Sequence, residues 1–250
     1  VLHVYRDLYV GDDRSGTLWT RETTLGADLG LQMGRYGEAR LGWRGGKVRS
    51  EVSAGVSSVP ELDSDLAGPA VRLVFDQLDD RAFPSSGAYL MAEGFSASPS
   101  WGSDMEYDRL HGSMSLFRTL GKYTLLLEAE GGTAFGSTLP PFAEFTLGGF
   151  HSLSGFAEGQ LTGQAYGVAR LGLRRRIGRL PASFGRGVYL AVWGEAGNAW
   201  SDPGDASLDD LFLAGTLGFA ADTILGPFHL GWGRAETGHS RFYLSLGLAY

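Results

Sequence analysis

Apolar and polar side chains alternate with a period of two along most of the chain. In residues 240–250 the positions between the apolar residues carry polar or small side chains, and the apolar residues are Phe242, Leu244, Leu246, Leu248 and Tyr250. Successive side chains of a β-strand point to opposite faces, so this pattern predicts strands with one apolar face. It recurs and predicts twelve strands, at about residues 2–10, 17–33, 38–53, 68–78, 87–98, 105–119, 123–136, 166–178, 187–200, 211–222, 226–236 and 240–250.

The face opposite the aliphatic residues carries charge in several of these strands. The clearest charged positions are Glu128, Glu130, Arg170, Arg174 and Arg176. An arginine facing lipid at the bilayer mid-plane costs ~2–4 kcal/mol, so these side chains must face an interior and the aliphatic face must contact hydrocarbon. A tilted strand of ~9–11 residues crosses a bilayer, and most of the predicted strands are that long.

Backbone groups in lipid need hydrogen-bond partners, which requires such a sheet to close on itself. We therefore predict an all-β fold: a transmembrane antiparallel β-barrel of about twelve strands, with residues 1–250 forming one domain. A soluble two-sheet sandwich would also alternate, with its apolar faces inward, but the charged faces favour the barrel. Short turns are predicted at 34–37, 121–122 and 224–227, and long loops at 53–67, 137–165 and 201–210.

Composition excludes several kinds of chemistry. The net charge of −7 gives no indication of a nucleic-acid partner. The chain has no cysteine, which excludes disulfides, thiolate metal sites and a cysteine nucleophile. Its 39 glycines suit strands that curve and pack closely. No cofactor or metal is predicted, because no metal-ligand spacing links the five histidines, His3, His111, His151, His229 and His239.

The loop at 137–165 contains the most distinctive sequence of the chain. Residues 145–156 read Phe-Thr-Leu-Gly-Gly-Phe-His-Ser-Leu-Ser-Gly-Phe. This segment resembles the sixth extracellular loop of the Omp85 superfamily, which folds back into the barrel lumen and ends in Val/Ile-Arg-Gly-Phe/Tyr. The resemblance implies a lumen-directed loop whose motif residues are Gly148, Gly149, Leu153, Ser154, Gly155 and Phe156.

Two further segments resemble landmarks of the same family. Residues 83–87, Phe-Pro-Ser-Ser-Gly, are similar to its Phe-Pro-Thr-x-Gly turn. Residues 193–197 are similar to the Phe-x-Asp-x-Gly motif of the strand that receives the loop, through Trp193, Glu195 and Gly197. Five predicted strands follow the loop, as in the family's sixteen-stranded barrel. Either twelve strands close here, which we prefer, or four N-terminal strands are absent.

One departure from the family concerns charge. The family's loop arginine is Ser154 here, so its usual pairing with the acidic residue of the receiving strand cannot form. We expect one of the arginines at 170, 174 and 176 to pair with Glu195 instead. The lumen charges would then line an aqueous pore or form a salt-bridged plug. The loop glycines serve either turn geometry or a close approach to the barrel wall, and the resemblance favours the approach.

The Leu-Ser-Gly-Phe variant most resembles the translocator barrels of patatin-like type Vd autotransporters. That resemblance implies a bacterial outer-membrane location, contact with outer-membrane lipid and the barrel-assembly machinery, and a secreted passenger domain in the same or a partner chain. In such barrels, passage is associated with the seam between the first and last strands, here residues 1–10 and 240–250. The alternative is a passive diffusion pore or a structural membrane anchor.

A catalytic role is not predicted for this chain. Patatin-like enzymes use Gly-x-Ser-x-Gly, and the nearest sequence, at Gly55 and Ser57, lacks the second glycine. A nucleophile elbow also needs a strand-to-helix turn, and no helix is evident. Another outer-membrane phospholipase is a twelve-stranded barrel with Asn, His and Ser facing lipid. The one asparagine here is Asn198, and His111 and His229 are predicted to face the lumen.

Overall fold

A computed structural model describes residues 2–55 and 59–247. Within these residues the chain forms fourteen β-strands and two short 3-10 helices, Pro99–Trp101 and Pro203–Asp205. The strands are β1 (Leu2–Val10), β2 (Asp13–Met33), β3 (Gly37–Gly55), β4 (Leu62–Asp76), β5 (Gly87–Ala97), β6 (Tyr107–Leu120), β7 (Tyr123–Thr133), β8 (Phe145–Leu147), β9 (Leu161–Gly163), β10 (Ala165–Gly178), β11 (Gly185–Trp200), β12 (Phe212–Thr223), β13 (Gly226–Ala235) and β14 (Ser240–Leu246). No helix in this part of the chain is both long and apolar enough to span a bilayer.

Twelve of the strands form one antiparallel sheet in chain order, and they correspond one to one to the twelve that the alternation predicts. The order is β1 to β7 followed by β10 to β14. The two remaining strands, β8 and β9, pair with each other inside the connection between β7 and β10. This arrangement confirms the predicted fold class.

The hairpins of β2, β3 and β4 extend further than predicted. Beyond the apolar positions, charged side chains pair across the strands: Arg49 lies 2.9 Å from Asp63, and Lys47 lies 3.2 Å from Asp65. These residues interrupt the apolar alternation while leaving the backbone pairing intact, because ladder hydrogen bonds do not depend on side-chain polarity. The sequence pattern therefore placed the starts of β2 and β4 too late, at 17 and 68 instead of Asp13 and Leu62.

The two faces of the sheet differ in polarity as predicted. On the outer face, Leu25, Leu29 and Leu31 are 69–86% exposed, and an apolar surface of this kind suits contact with lipid. On the inner face, Arg40 pairs with Asp28 at 3.0 Å. We call the space enclosed by the inner face the lumen.

Connections alternate between the two ends of the sheet. One end, which we call the lower end, has mostly short turns, including 34–36, 121–122 and 224–225. The upper end holds the long connections at 98–106, 134–164 and 201–211. This sorting agrees with the predicted short turns and with the long loops predicted at 137–165 and 201–210. The long loop predicted at 53–67 is wrong, because β3 extends to Gly55 and β4 begins at Leu62, so most of that segment is strand.

The expectation that twelve strands close into a barrel is not met in the described residues, because β1 and β14 share no ladder. Their hairpins meet at the upper end, where His239 lies 3.2 Å from Asp12. At the lower end, Leu2 and Leu246 are 57% and 58% exposed. Alternation specifies which face each strand buries, but it does not specify whether the first and last strands share a register.

Candidate functional site

The connection 134–164, which we call the long loop, folds as a compact unit. Its strands β8 and β9 pair, with Leu147 opposite Leu161. The side chain of Gln164 secures its base: Oε1 accepts the backbone N–H of Leu139 at 2.6 Å, and Nε2 donates to the Leu139 carbonyl at 3.1 Å and to Glu144 at 3.2 Å. The loop is therefore shaped by its own hydrogen bonds as well as by the wall.

The loop lies inside the lumen, and its motif residues are among the most buried of the chain. Leu153, Ser154 and Phe156 are 0–3% exposed. Phe156 packs against Phe212 of β12, with ring centroids 5.3 Å apart. Together with inner-face residues they form one buried cluster, which contains Leu66, Ala97, Tyr107, Ala134, Leu139, Phe145, Leu147, Leu153, Phe156, Tyr166, Val168 and Ala235.

Glu195 of β11 binds the loop to the wall. Its Oε2 accepts the backbone N–H of Ser154 at 2.7 Å, and its Oε1 lies 3.2 Å from Nε of Arg170. Arg170 also reaches Glu128 of β7, with Nη1 2.6 Å from Oε2. The Glu195 side chain is fully buried, and these partners offset the cost of removing it from water.

Strand register explains why Arg170, of the three candidate arginines, lies at Glu195. Arg170 is directly opposite Glu195 on one side and Glu128 on the other. Arg174 points the same way but lies lower, where it donates to the carbonyl of Pro84. Arg176 is exposed and forms no ion pair with any described residue.

Glu130, the other candidate lumen acid, lies beside the loop rather than at Arg170. It accepts a hydrogen bond from Tyr166, and its Oε1 lies 3.2 Å from Nε2 of His111. The ring of Tyr166 stacks on Phe145 of the loop at 4.9 Å. Glu130 thus orients an aromatic side chain that packs against the base of the loop.

The three motif glycines differ in what they permit. At Gly155, φ is +108°, and a Cβ would lie 2.5 Å from the backbone nitrogen of Ala235 in β13. Gly155 therefore lets the loop approach the wall. Gly148 and Gly149 also have positive φ, but their nearest neighbours belong to the loop itself, Ala157 and Glu158. These two serve loop geometry.

Ser154 and the receiving-strand residues fit closely against the loop tip. A Cβ at Gly233 of β13 would lie 2.6 Å from Cβ of Ser154. A Cβ at Gly197 would lie 2.9 Å from Cδ1 of Leu153. Small residues on the wall thus admit the tip, and the side chain of Trp193 is buried beside it.

An aromatic cluster, which the sequence analysis did not predict, holds the loop from the side of β14. The ring of Phe150 stacks on Tyr243 at 5.0 Å, and the Tyr243 hydroxyl accepts the backbone N–H of Gly155 at 2.8 Å. His151 packs edge-on against Trp193 at 4.8 Å. The alternation could have identified this contact residue, because Tyr243 is the one aromatic side chain on the lumen face of β14.

His151 adds a polar contact to the ion cluster. Burial holds the pKa of its imidazole well below the ordinary range, and the nearby Arg170 guanidinium lowers it further. A neutral ring can accept a hydrogen bond, and Nδ1 lies 3.3 Å from Nη1 of Arg170. His151 and Leu153 both have positive φ, at 62° and 68°, in a backbone region that non-glycine residues seldom adopt. The surrounding contacts hold the tip in this conformation.

The loop also contacts the opposite edge of the sheet. Arg6 of β1 donates to the carbonyl of Glu144 at 3.2 Å and pairs with its carboxylate at 3.4 Å. Gln160 donates to Asp12 at 3.1 Å. The loop also donates a hydrogen bond to Tyr243 of β14. It therefore links β1 and β14, the two unpaired edges of the sheet.

The predicted C-terminal barrel signature lies partly within the described residues. Phe242, Leu244 and Leu246 point outward and are 58–83% exposed. Leu248 and Tyr250 lie outside the described residues. No group of His, Asp or Glu suited to a metal ion occurs in the described ranges.

An antiparallel sheet that is apolar outside and charged inside, with a long loop folded into its lumen, defines a β-barrel domain of the transmembrane type. Residues 5–249 match the Omp85 superfamily domain, and the chain belongs to this superfamily. The resemblance to the Omp85 superfamily is thereby confirmed. A search of curated protein sequences gives no match.

Solved structures with a similar fold include three barrel proteins. A BamA from Haemophilus ducreyi lacking POTRA domains 1–3 superimposes with a TM-score of 0.71 at 14% identity, covering 92% of this chain and 53% of that one. CdiB from Escherichia coli gives 0.60 at 15% identity, with 92% and 43% covered. CdiB from Acinetobacter baumannii gives 0.61 at 13% identity, with 94% and 43% covered. This chain thus spans about half of these structures or less, and at such identities the likeness concerns the fold.

Proposed function

We propose that this chain is the barrel of a bacterial outer-membrane protein that translocates or anchors a passenger domain, and that the long loop closes its lumen. Membership of the Omp85 superfamily supports this proposal. In this setting outer-membrane lipid contacts the apolar outer face, and the barrel-assembly machinery inserts the chain. The chain itself acts without catalysis.

The proposal that the long loop closes the lumen rests on the hydrogen bond between Ser154 and Glu195. In the family's pattern the arginine belongs to the loop, so loop release separates an ion pair. Here Arg170 belongs to the wall and keeps both Glu195 and Glu128 when the loop leaves. At this cluster, release breaks two hydrogen bonds to charged groups, from Ser154 to Glu195 and from Arg170 to His151, each worth ~1.5–3 kcal/mol. It does not strand one partner of a buried ion pair, which would cost ~3–5 kcal/mol. The loop is held closed, yet its release leaves no charge of the wall unpaired.

The passenger is proposed to be a patatin-like lipase domain, in the same chain or a partner chain. The resemblance of residues 153–156 and 161–164 to type Vd autotransporter barrels supports this choice. Residues 161–164 also have a clear role in the fold, since they contain β9 and the Gln164 side chain that secures the loop base. Passage is proposed at the seam, where the edges of β1 and β14 offer backbone groups to a further strand.

A passive diffusion pore is the second candidate, and one observation favours it. A cavity of about 410 Å³ remains beside β2, β3 and β4, away from the long loop, and Asp28, Arg40 and Arg72 line it. A charged cavity of this kind could conduct ions if it continued through the barrel. The two functions therefore differ in whether the loop controls conductance.

Single-channel conductance in planar bilayers separates these functions. The comparison is between the chain and a variant that lacks residues 150–160. A translocator closed by its loop has little steady conductance, and the deletion raises it severalfold. A large steady pore that the deletion leaves unchanged would contradict the proposal and favour the diffusion pore.

Two further observations test the passenger. In intact cells, added protease digests a passenger that has reached the surface and spares one that a simple membrane anchor leaves inside.

The gene segment encoding the residues before Val1 is expected to contain Gly-x-Ser-x-Gly followed by a POTRA-like segment. An upstream region without that motif, together with no partner gene that carries it, would contradict the patatin-like passenger.

A further inference from the structure

The connection between β4 and β5, residues 77–86, differs from the other turns at the lower end. It has ten residues, whereas the four others have two to six. We call it the lower turn. It contains the Phe-Pro-Ser-Ser sequence singled out above, to which the proposed function assigns no task. It lies at the end of the lumen opposite the long loop.

The lower turn folds into the lumen and reaches the far wall. Phe83 is 5% exposed, and its ring lies 5.0 Å from Tyr189 of β11 and 6.4 Å from His229 of β13. The guanidinium of Arg174 in β10 lies 4.0 Å above the Phe83 ring and donates to the carbonyl of Pro84. In the sheet β4 and β5 are separated from β10 by β6 and β7. Contact with β10, β11 and β13 therefore means that the turn crosses the lumen.

The turn is held in this conformation by its own acidic residues. Asp79 accepts the backbone N–H groups of Ser85 and Ser86 at 2.9 and 3.0 Å. Asp80 accepts those of Ala82 and Phe83 at 2.8 and 3.1 Å. Side chains that accept nearby backbone N–H groups fix a turn in one shape. Phe83 is thus presented to the wall by a preformed structure.

A second attachment lies at the exposed rim. Arg186, at the start of β11, pairs with Asp80 of the turn and lies 2.5 Å from Asp222 of β12. On the near side, Thr119 of β6 donates to the carbonyl of Ser85 at 2.7 Å. The turn is therefore fastened on both sides of the space that it crosses.

We infer that the lower turn is a second plug, which narrows the lower end of the lumen below the long loop. The two plugs adjoin at His229, whose ring lies 6.4 Å from Phe83 and 5.8 Å from Phe150. The Phe83 side chain forms the constriction, and Arg174 holds its ring against the wall. Arg186 attaches the turn to β11 and β12 at the exposed rim. Two constrictions then lie in series, so removing the long loop alone leaves the lower end narrowed. A polypeptide that passes through the lumen has to release Phe83 from Arg174, whereas ions pass the narrowed end more slowly.

Planar-bilayer conductance of four proteins tests this inference: the unmodified chain, the deletion of 150–160, Phe83→Ala, and both changes together. Phe83→Ala alone is expected to leave conductance low, because the long loop still closes the lumen. Both changes together are expected to give severalfold more conductance than the deletion alone. A fifth protein, Phe184→Ala in the deletion background, is the matched control, since Phe184 lies at the same end but is 63% exposed. Equal conductance of the deletion with and without Phe83→Ala overturns the inference, as does an equal effect of Phe184→Ala.

Folding of each variant is checked by its migration on unheated gels, where intact barrels run apart from unfolded chains. If Phe83→Ala does not fold, Arg186→Gln removes both ion pairs at the rim and leaves the hydrogen bonds of Asp80 within the turn in place. The same increase is expected from that variant in the deletion background, and its absence would contradict the second plug. The test is independent of passenger transport: a protein that exports nothing still shows the series behaviour if the lower turn is a plug.

Discussion

Arg170 lies directly opposite Glu195 on the neighbouring strand, and its Nε is 3.2 Å from Oε1 of that carboxylate. On its other side it lies opposite Glu128, which it also binds. Cross-strand neighbours of this kind are positioned by register alone. The wall thus carries a complete ion cluster, to which the long loop adds the backbone N–H of Ser154 and the imidazole of His151.

Replacing Glu195 by Gln tests this cluster. The variant removes a fully buried charge and leaves Arg170 with one carboxylate, so we expect it to lower the free energy of unfolding by about 3 kcal/mol. Urea unfolding in lipid vesicles measures the change. Glu93→Gln is the control, because Glu93 pairs with Arg72 at 3.2 Å but both side chains are 35–44% exposed. Such exposed pairs contribute ~0–1 kcal/mol, so equal losses in the two variants would contradict the assigned role of Glu195.

Gly155→Ala tests the close approach of the loop to β13. A Cβ at 155 overlaps Ala235, and overpacking of this kind costs ~1–3 kcal/mol. The loop is expected to leave the wall more often and to become sensitive to protease in the folded protein. Gly136→Ala shares the strain of positive φ, at +81°, but has no neighbour within 4 Å. If both variants were cleaved at the same rate, contact with β13 would not explain the glycine.

Leu171→Arg tests which face of the sheet meets lipid. Leu171 is 57% exposed on the outer face of β10. A charge at the mid-plane of the bilayer is expected to cost ~2–4 kcal/mol in vesicle unfolding. Ser113→Arg on the inner face, opposite Glu130, is expected to cost far less. The reverse order would mean that the apolar face is turned inward.

The alternation of apolar residues was sufficient to predict the twelve strands of the sheet, because each strand separates lipid from lumen. The same rule left three arginines equivalent on the lumen face of β10. Only the register shows that Arg170 meets Glu195, whereas Arg174 lies opposite Ala191 and Thr124. Side-chain reach and register are properties of paired strands, so a single strand's pattern does not contain them.

Two features of the lumen could not be predicted from the sequence for reasons other than strand register: the short strands β8 and β9, and the contacts of Phe83 and Tyr243. The strands β8 and β9 have three residues each, which is too short for a period of two to stand out. Phe83 and Tyr243 contact distant segments through the lumen. Such contacts depend on how the sheet is rolled, and the family resemblance indicated where to look for the loop but not for these partners.

Acid is expected to loosen the lower turn. Partial burial alone would raise the pKa of Asp79, but hydrogen bonds from Ser85 and Ser86 outweigh it and lower that pKa to about 2. The pKa of an unfolded Asp is ~3.9, so the stabilisation by Asp79 is complete above about pH 4 and is lost as the pH falls towards 2. Amide hydrogen exchange of the peptide covering 77–86, corrected for intrinsic rates, measures the loss. Asp79→Asn should weaken this pH dependence and leave the part due to Asp80, whose pKa is lowered by Arg186 and by the backbone N–H groups of Phe83 and Ala82. An unchanged profile in that variant would assign the dependence to another group.

The position of the long loop is tested most directly by a cross-link between its tip and the wall. The chain has no cysteine, so Ser154→Cys with Gly233→Cys introduces the two thiols alone. Their Cβ positions are 2.6 Å apart, and a shift of about 1 Å brings them to disulfide distance. With a mild oxidant in intact cells, most molecules are expected to cross-link, and Ser154→Cys with Met91→Cys on β5 should not. Cross-linking no greater than in that control, while both thiols react with a maleimide, would contradict a loop bound inside the lumen.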